Sequence, residues 1–373
     1  MLSKLKKLFL SYNIDGYLIP KNDEFFAEYS FPDRLKYITK FSGSAGFAVI
    51  LRKENYLFVD SRYPIQAEQE SGKKFIVYEM PKNSPSSVFQ KSKKIYKLGF
   101  DPKLFTEKFL KNKFKNSELI PVNENLVDKI FGKISIKREK PFYTLSNKIT
   151  GESIASKINR TTKKLINKKI DNLFISSPDN CAWLLNIRGF DQPYSPIPNC
   201  HIILDKYKKI YFFSNIGKSK KIRKQIKYKK IEFFDINEFL KVIIKLKGKS
   251  FCIDEKSCSV YYKSLISSKF KIIDIKDPCE YFKSIKNEIE IKNMVKSHIL
   301  DGVALTKFLF WIKRNNSNSL TELQASKKLD KFRRLNSDYL FPSFKTISGS
   351  GPNGAIIHYN VNKKTNRKIN KKD

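Results

Sequence analysis

Apolar and polar positions alternate along this chain in short blocks that repeat. Leu2, Leu5, Leu8 and Phe9 have helical spacing and predict an amphipathic helix at the start. Gly16-Tyr17-Leu18-Ile19-Pro20 then reads as a short strand ended by proline. Phe47 to Leu51 and Tyr56 to Val59 predict two strands of a hairpin joined through Lys53-Glu54-Asn55. Phe75 to Tyr78, Leu98 to Asp101 and Leu119 to Val122 read as further strands, and Leu104 to Phe114 as a helix between them.

A polar, basic stretch around Lys133 to Lys140, closed by Pro141, has the look of a linker. After it the same order returns. Glu152 to Lys168 is a helical pattern, and Asp171 to Ser176 echoes Asp15 to Pro20. His201 to Leu204 and Ile210 to Ser214 form a second hairpin pattern; Phe251 to Asp254 echoes Leu98 to Asp101, and Lys271 to Ile275 matches Leu119 to Val122. One α/β unit of about 135 residues is therefore written twice, as in a duplicated domain. The third segment differs. Ile291, Met294, Val295, His298, Leu305, Phe308 and Ile312 lie at helical spacing within Asn287 to Arg314. A second helix is expected to open at the S-x-x-E capping box Ser319-Leu320-Thr321-Glu322 and to run to about Leu335. The expected division is 1–132, a linker 133–150, 151–283, and 284–373.

Composition changes this picture little. A hydrophobic fraction of 40% over 373 residues supplies real cores for two or three domains. The net charge of +38 would suggest nucleic acid or an anionic membrane. The lysines, however, are spread along the whole chain beside abundant Ile, Asn, Phe and Tyr, all residues of A/T-rich codons, so coding bias is the preferred explanation and no nucleic-acid partner is expected. The five cysteines, Cys181, Cys200, Cys252, Cys258 and Cys279, contain no C-x-x-C pair and read as buried free thiols, which fits a reducing, cytoplasmic setting. Leu8-Phe9-Leu10 is too short for a signal core, and no apolar run of about 18 residues is present, so no membrane span is expected.

The densest small-residue stretch is Phe344 to Tyr359, FKTISGSGPNGAIIHY, with Gly349, Gly351, Gly354 and Pro352 ahead of His358. Glycine geometry brings backbone close to a ligand, yet the residues alone leave His358 open between a turn-end histidine and a site residue. For His298 and His201 the plainer reading, a packed or edge histidine, is favoured over a ligand role. SGSGPNGA lacks the Lys-Ser/Thr of a P-loop, and FSGSAG leads into a strand rather than a helix N-terminus, so neither cradles phosphate. No H-E-x-x-H or G-x-S-x-G occurs, and Arg62, past a strand end, reads by itself as a surface arginine.

The colinear pieces FSGSAGFAVI, VDSRYPIQAE, CAWLLNIRGFDQPYSPIPNCHIIL, SIKNEIEIKNMVKSHILDGVALTKFLFWI and FKTISGSGPNGAIIHY resemble the Xaa-Pro aminopeptidases of the creatinase/prolidase "pita-bread" metallopeptidase superfamily, over the whole chain. The resemblance implies an α/β fold class: two tandem creatinase-like (ribonuclease H-like) domains, then the first part of a pita-bread α+β catalytic domain. It implies hydrolysis of the first residue from peptides with proline second. Two divalent metals, usually Mn²⁺, hold a bridging hydroxide that attacks the scissile carbonyl. His358 matches the family histidine that contacts substrate and supports the tetrahedral intermediate. Arg62 matches the arginine of the D-G-R-Y motif associated with the cleft; here the motif reads Asp60-Ser61-Arg62-Tyr63.

The family's metal-ligating aspartates follow the histidine segment in D-S-G-x-x-Y and G-T-T-D, and the sequence reaches Asp373 before them. The expectation is therefore a fragment with no metal ligand in this chain, inactive alone, whose complete form is a homodimer. A non-catalytic creatinase-like peptide-binding protein and a basic nucleic-acid-binding protein stand as alternatives.

Overall fold

In the computed structural model, which describes residues 1–29, 31–90, 94–132, 140–315 and 320–370, the repeat in the sequence is a repeat of sheets. The first contains β1 (Gly16–Pro20), β2 (Gly46–Leu51), β3 (Asn55–Asp60), β4 (Ile76–Met80), β5 (Tyr96–Phe100) and β6 (Ser117–Pro121) in the order β4-β3-β2-β1-β5-β6. Only β2 runs antiparallel to its neighbours. A short ribbon, β7 (Tyr143–Thr144) with β9 (Ile187–Arg188), precedes the second large sheet. That sheet holds β8 (Asn172–Ile175), β10 (Cys200–Asp205), β11 (Ile210–Ser214), β12 (Ile231–Asp235), β13 (Ser250–Ile253) and β14 (Lys271–Asp274). Its order, β12-β11-β10-β8-β13-β14, traces the same path, with β10 as the antiparallel member.

Central strands covered on both faces read as near-continuous apolar runs. β1 is buried throughout, and all of β2 except Gly46 is buried. One face of the first sheet packs Ile19, Ile50 and Leu57 against Leu5 and Phe9 of helix α1 (Leu2–Ser11). The other face packs Phe47, Phe58 and Phe100 against Leu110 of helix α2 (Glu107–Lys113).

Buried or half-buried acids tie the strand ends together in both repeats. Asp15, ahead of β1, accepts the backbone N–H of Lys97 at 3.0 Å. Asp171, ahead of β8, accepts those of Lys249 and Ser250 at 2.8 and 3.1 Å. After β5, Asp101 accepts from Lys103 N and Asn125 Nδ2, and Asn125 caps helix α3 (Leu126–Phe131). After β13, Asp254 accepts from Lys256 N and Asp277 N, and Asp277 caps a later helix, Pro278–Ser284.

The helix expected over Leu104 to Phe114 begins three residues later. Asp101 and Pro102 form a turn (Leu104 N to Asp101 O, 3.0 Å), Leu104 and Phe105 enter the core, and the Thr106 hydroxyl accepts Phe109 N as N-cap of α2. Of the stretch expected as a linker, 133–139 lies outside the described residues. Beyond it, Phe142 is fully buried in the second core and β7 pairs with β9, so residues from Phe142 onward are built onto the second sheet. That core also takes Ile158 and Leu165 from helix α4 (Ile154–Asn167).

Met1–Gln192 with Pro196–Ile285 forms one compact unit, so the two sheets belong to a single body. They meet through equivalent positions. Thr106 and Ser259, the N-cap residues of α2 and of helix α5 (Val260–Ser267), form an antiparallel bridge, and Val260 N donates to Phe105 O at 2.9 Å. Lys263 pairs with Glu107 across the joint. Phe25 of the first repeat stacks on His201 of the second, ring centroids 5.0 Å apart, beside Phe174 and Tyr262. A duplicated unit that associates through matching surfaces behaves like a two-fold dimer fused into one chain.

The other unit is Lys286–Asp373 with Pro193–Ser195. Helix α6 (Glu288–Arg314) starts at a capping box of Asn287 and Glu290, and helix α7 (Glu322–Arg333) packs on it. Arg333 clamps Asp301 with two bonds of 2.6 and 3.1 Å. The S-x-x-E box is corrected: Ser319 lies outside the described residues, and the cap is Thr321, boxed with Gln324. Thr321 is held extended because its neighbours pair with another segment (Glu322 N to Arg367 O, 3.0 Å; Ile369 N to Leu320 O, 2.8 Å). The apolar stripe of α6 leaves Ile291, Met294, Val295 and Ile299 more than half exposed; Ala304 is its one buried residue.

His201 gives this fold a pH signature. Its ring is 2% exposed, Nδ1 donates to Ser176 O at 2.9 Å, and burial pushes its pKa from 6.5 down to about 4. A lowered folded-state value means that the neutral ring's contribution is complete above pH 6.5 and is lost as pH falls toward about 4. Asp23 and Asp277, raised to about 6 by burial, act in the opposite sense but are shared with any His201 variant. Wild-type minus His201→Phe stability, measured by urea titration, should therefore fall by about 3 kcal/mol between pH 7 and pH 4. A pH-independent difference would show that the buried ring is not titrating.

Candidate functional site

The glycine-rich loop is built around one acid. Glu322, first residue of α7, has no exposed surface. Its Oε1 accepts the backbone N–H of Ser350 at 2.7 Å and the Asn353 amide at 3.0 Å; its Oε2 accepts the Tyr359 hydroxyl at 3.0 Å and the backbone N–H of Arg367 at 3.1 Å. Its own carbonyl takes the Ser348 hydroxyl at 3.0 Å. A buried carboxylate is tolerable only with its lone pairs occupied, and charge-assisted bonds to it are roughly twice as strong as neutral ones.

The loop's small residues follow from wrapping this group. A Cβ on Gly349 would stand 2.8 Å from the Asn353 carbonyl oxygen, and Gly351 has φ +54° at the start of the 3₁₀ turn Gly351–Ala355. Tyr359, 5% exposed, also reaches Thr365 Oγ1 at 2.9 Å, and burial followed by the Glu322 charge raises its pKa.

His358 directly precedes Tyr359. Its backbone is left-handed, φ +59°, and its side chain is exposed. A non-glycine residue in that region stores strain of order 1 kcal/mol and persists where its surroundings dictate it. Here Tyr359 N donates to Ile356 O at 3.1 Å and the Tyr359 side chain is buried, which closes the turn around His358. The glycines thus close the loop on Glu322, and the histidine is presented outward at the end of the closed loop.

Arg62 belongs to the two-sheet unit. It follows β3, and Asp60 takes its Nε at 2.8 Å, a second guanidinium nitrogen at 2.6 Å and its backbone N–H at 2.9 Å. The Asp60 carboxylate raises its pKa. The neighbouring Tyr63 is buried, with its hydroxyl 2.9 Å from Ser44 Oγ. Gly43 is required beside it, since a Cβ there would meet the Phe41 and Tyr63 rings at 2.2 and 2.9 Å. FSGSAG is thus a packing loop. Arg62 and His358 lie in different units.

Of the other histidines, His201 is a core ring at the joint of the repeats, and His298 is exposed on α6, where Nδ1 lies 2.9 Å from Met294 O. Among the described residues no group of three or more His, Cys, Asp or Glu could hold a metal ion. All five cysteines are free and buried. Sequence reasoning missed Glu322, which it placed in a cap, and Asn353 and Thr365. The available signal was a glutamate at the first helical position, one residue after a Thr-x-x-Gln cap that already supplies the acceptor there.

Residues 1–130 and 135–290 each match the creatinase/prolidase N-terminal domain, and residues 292–373 match metallopeptidase family M24. The chain belongs to the creatinase/prolidase-type metallopeptidases. Within that class it is similar along its length to Xaa-Pro aminopeptidases. It is 30% identical to Xaa-Pro aminopeptidase ApepP of Drosophila melanogaster, over 100% of this chain and 65% of the relative. It is also 30% identical to Xaa-Pro aminopeptidase 1 of Dictyostelium discoideum, over 98% of this chain and 62% of the relative. Its fold matches the crystal structure of X-prolyl aminopeptidase from Caenorhabditis elegans, a cytosolic enzyme with a di-nuclear active site, with a TM-score of 0.90 and 25% identity over 99% of this chain and 65% of that one. The chain thus spans less than two thirds of the length of each of these relatives.

Glu322→Ala should release the loop. Amide exchange at Ser350 and Arg367 should accelerate by about 100-fold or more, with Glu322→Gln intermediate. Unchanged protection at both amides would show that the loop holds its shape without the carboxylate.

Proposed function

We propose that this chain forms the two N-terminal domains and the beginning of the catalytic domain of an Xaa-Pro aminopeptidase, which removes the first residue from peptides with proline in second position. The observation that carries this reading is colinear similarity over the whole chain, joined to a fold that superimposes on an X-prolyl aminopeptidase at a TM-score of 0.90. In this reading the domains are 1–132, 151–283 and 284–373; of the segment 133–150 between the first two, the residues from Phe142 onward pack with the second domain. The exposed apolar face of α6 supports the third assignment, because a helix apolar on so much of its circumference needs cover from further elements.

In the same reading His358 contacts the substrate and supports the tetrahedral intermediate, and Arg62 contributes to the substrate cleft. An outward-facing imidazole on a loop locked to Glu322 through Ser348, Ser350, Asn353 and Tyr359 is a donor held in place before substrate arrives. Arg62, aligned by Asp60, offers a guanidinium of fixed orientation. The enzyme uses two divalent metals, with Mn²⁺ as the proposed ion. The described residues do not fit that group, since they contain no ligand cluster. The reading therefore assigns the metal ligands to the part of the relatives that this chain does not span. The substrate is an X-Pro peptide; the active form is a cytoplasmic homodimer, with no nucleic acid or membrane as partner.

The 373-residue protein with added Mn²⁺ should release no amino-terminal residue from an X-Pro tripeptide, measured by amino-acid release. In a protein of the relatives' full length, His358→Ala should lower kcat by about 10²-fold with a smaller change in KM. Peptidase activity from the 373 residues would overturn the assignment of the metal ligands. An unchanged kcat in the variant would remove His358 from the reaction.

A further inference from the structure

A crevice of about 440 Å³ opens at the carboxyl edge of the first sheet, where β1 ends at Pro20 and β4 at Met80. Crevices beyond the carboxyl ends of strands are where open α/β sheets bind ligands, and this volume lies within the range of small-molecule pockets. Its floor is apolar and largely aromatic: Phe26, Phe47, Met80, Phe105 and Phe109. Its polar margin is one-signed. Lys108 and Lys113 come from α2 and Lys256 from the second repeat; among the described residues no aspartate or glutamate lines it. The nearest acid on α2, Glu107, is already paired with Lys111 and Lys263. Among the described residues none of these three lysines has an ion pair.

Phe26 reaches the crevice at a backbone cost. Its φ is +56°, in a turn held by Asp23, whose carboxylate accepts Phe25 N and Ala27 N at 3.0 and 3.1 Å. A half-buried phenylalanine in the left-handed region is unfavourable unless its position is used.

We infer that this crevice binds the carboxy-terminal end of a peptide whose last residue is aromatic. The ring would stack on Phe26, Phe47 and Phe109, and the carboxylate would meet the lysines, with the Asn112 amide as a further donor. Charge complementarity selects this occupant: a neutral aromatic leaves three cations unpaired, and a cationic one is repelled. The site lies within the two-sheet unit and does not depend on the peptidase reading. Because Lys256 comes from the second repeat, a bound ligand bridges the repeats.

The test is calorimetric titration of the 373-residue protein with N-acetyl-phenylalanine, N-acetyl-phenylalaninamide and decanoate. Saturable binding of the acid, at least about tenfold tighter than the amide, is expected. Lys108→Gln with Lys256→Gln should weaken it by about tenfold while leaving the circular dichroism spectrum and the unliganded melting temperature unchanged. Amide bound as tightly as acid, no saturable binding, or affinity unaffected by the double substitution would each overturn the proposal. Decanoate bound more tightly than N-acetyl-phenylalanine would replace the peptide terminus with a fatty acid and overturn it in that form.

Discussion

The carboxylate of Glu322 must be buried, and everything near His358 depends on how that burial is made tolerable. Desolvating a charge costs several kcal/mol unless donors surround it. The chain supplies them from three places: Ser350 and Asn353 in the glycine turn, Tyr359 just past the histidine, and Arg367 beyond. Each donor comes from outside the α-helices and the sheets, Asn353 from the short 3₁₀ turn. The acid therefore takes the place of the ladder or helix that orders other parts of the molecule. The two-sheet unit uses the same device at smaller scale, with Asp15, Asp171, Asp101 and Asp254 each fastening one strand end to the next.

The duplication was legible because its signal is periodic and its errors average out. Strands whose residues are buried on both faces, such as Gly16–Pro20 and Phe47–Leu51, appear as unbroken apolar runs in any reading. The same argument applied twice yields two sheets of one strand order. Helix starts were less legible, because a cap is a competition between neighbouring hydroxyls. Thr106 wins once Asp101 and Pro102 have made a turn, and Thr321 wins because its flanks pair with Arg367 and Ile369.

The candidate site was legible as a place but not as a structure. Glycines ahead of a histidine suggested a backbone shaped for a ligand; what they shape is a path around Glu322. An acid in the first turn of a helix has an ordinary local explanation in the helix dipole and the capping box. Nothing within a few residues reveals partners 28 to 45 positions away. The joint between the repeats was hidden for the same reason. Phe25 and His201 are far apart in sequence, and neither looks unusual until the two sheets are set together.

The central claim is that Glu322 sets the position of the loop that ends in His358. A double-mutant cycle in a protein of the relatives' full length tests it most directly, with kcat measured for Glu322→Gln, His358→Ala and the pair on an X-Pro peptide. If the acid acts through the histidine, Glu322→Gln slows the wild-type enzyme, and the double variant is no slower than His358→Ala alone. If the two losses multiply, the acid and the histidine act independently, and the account of this loop is wrong.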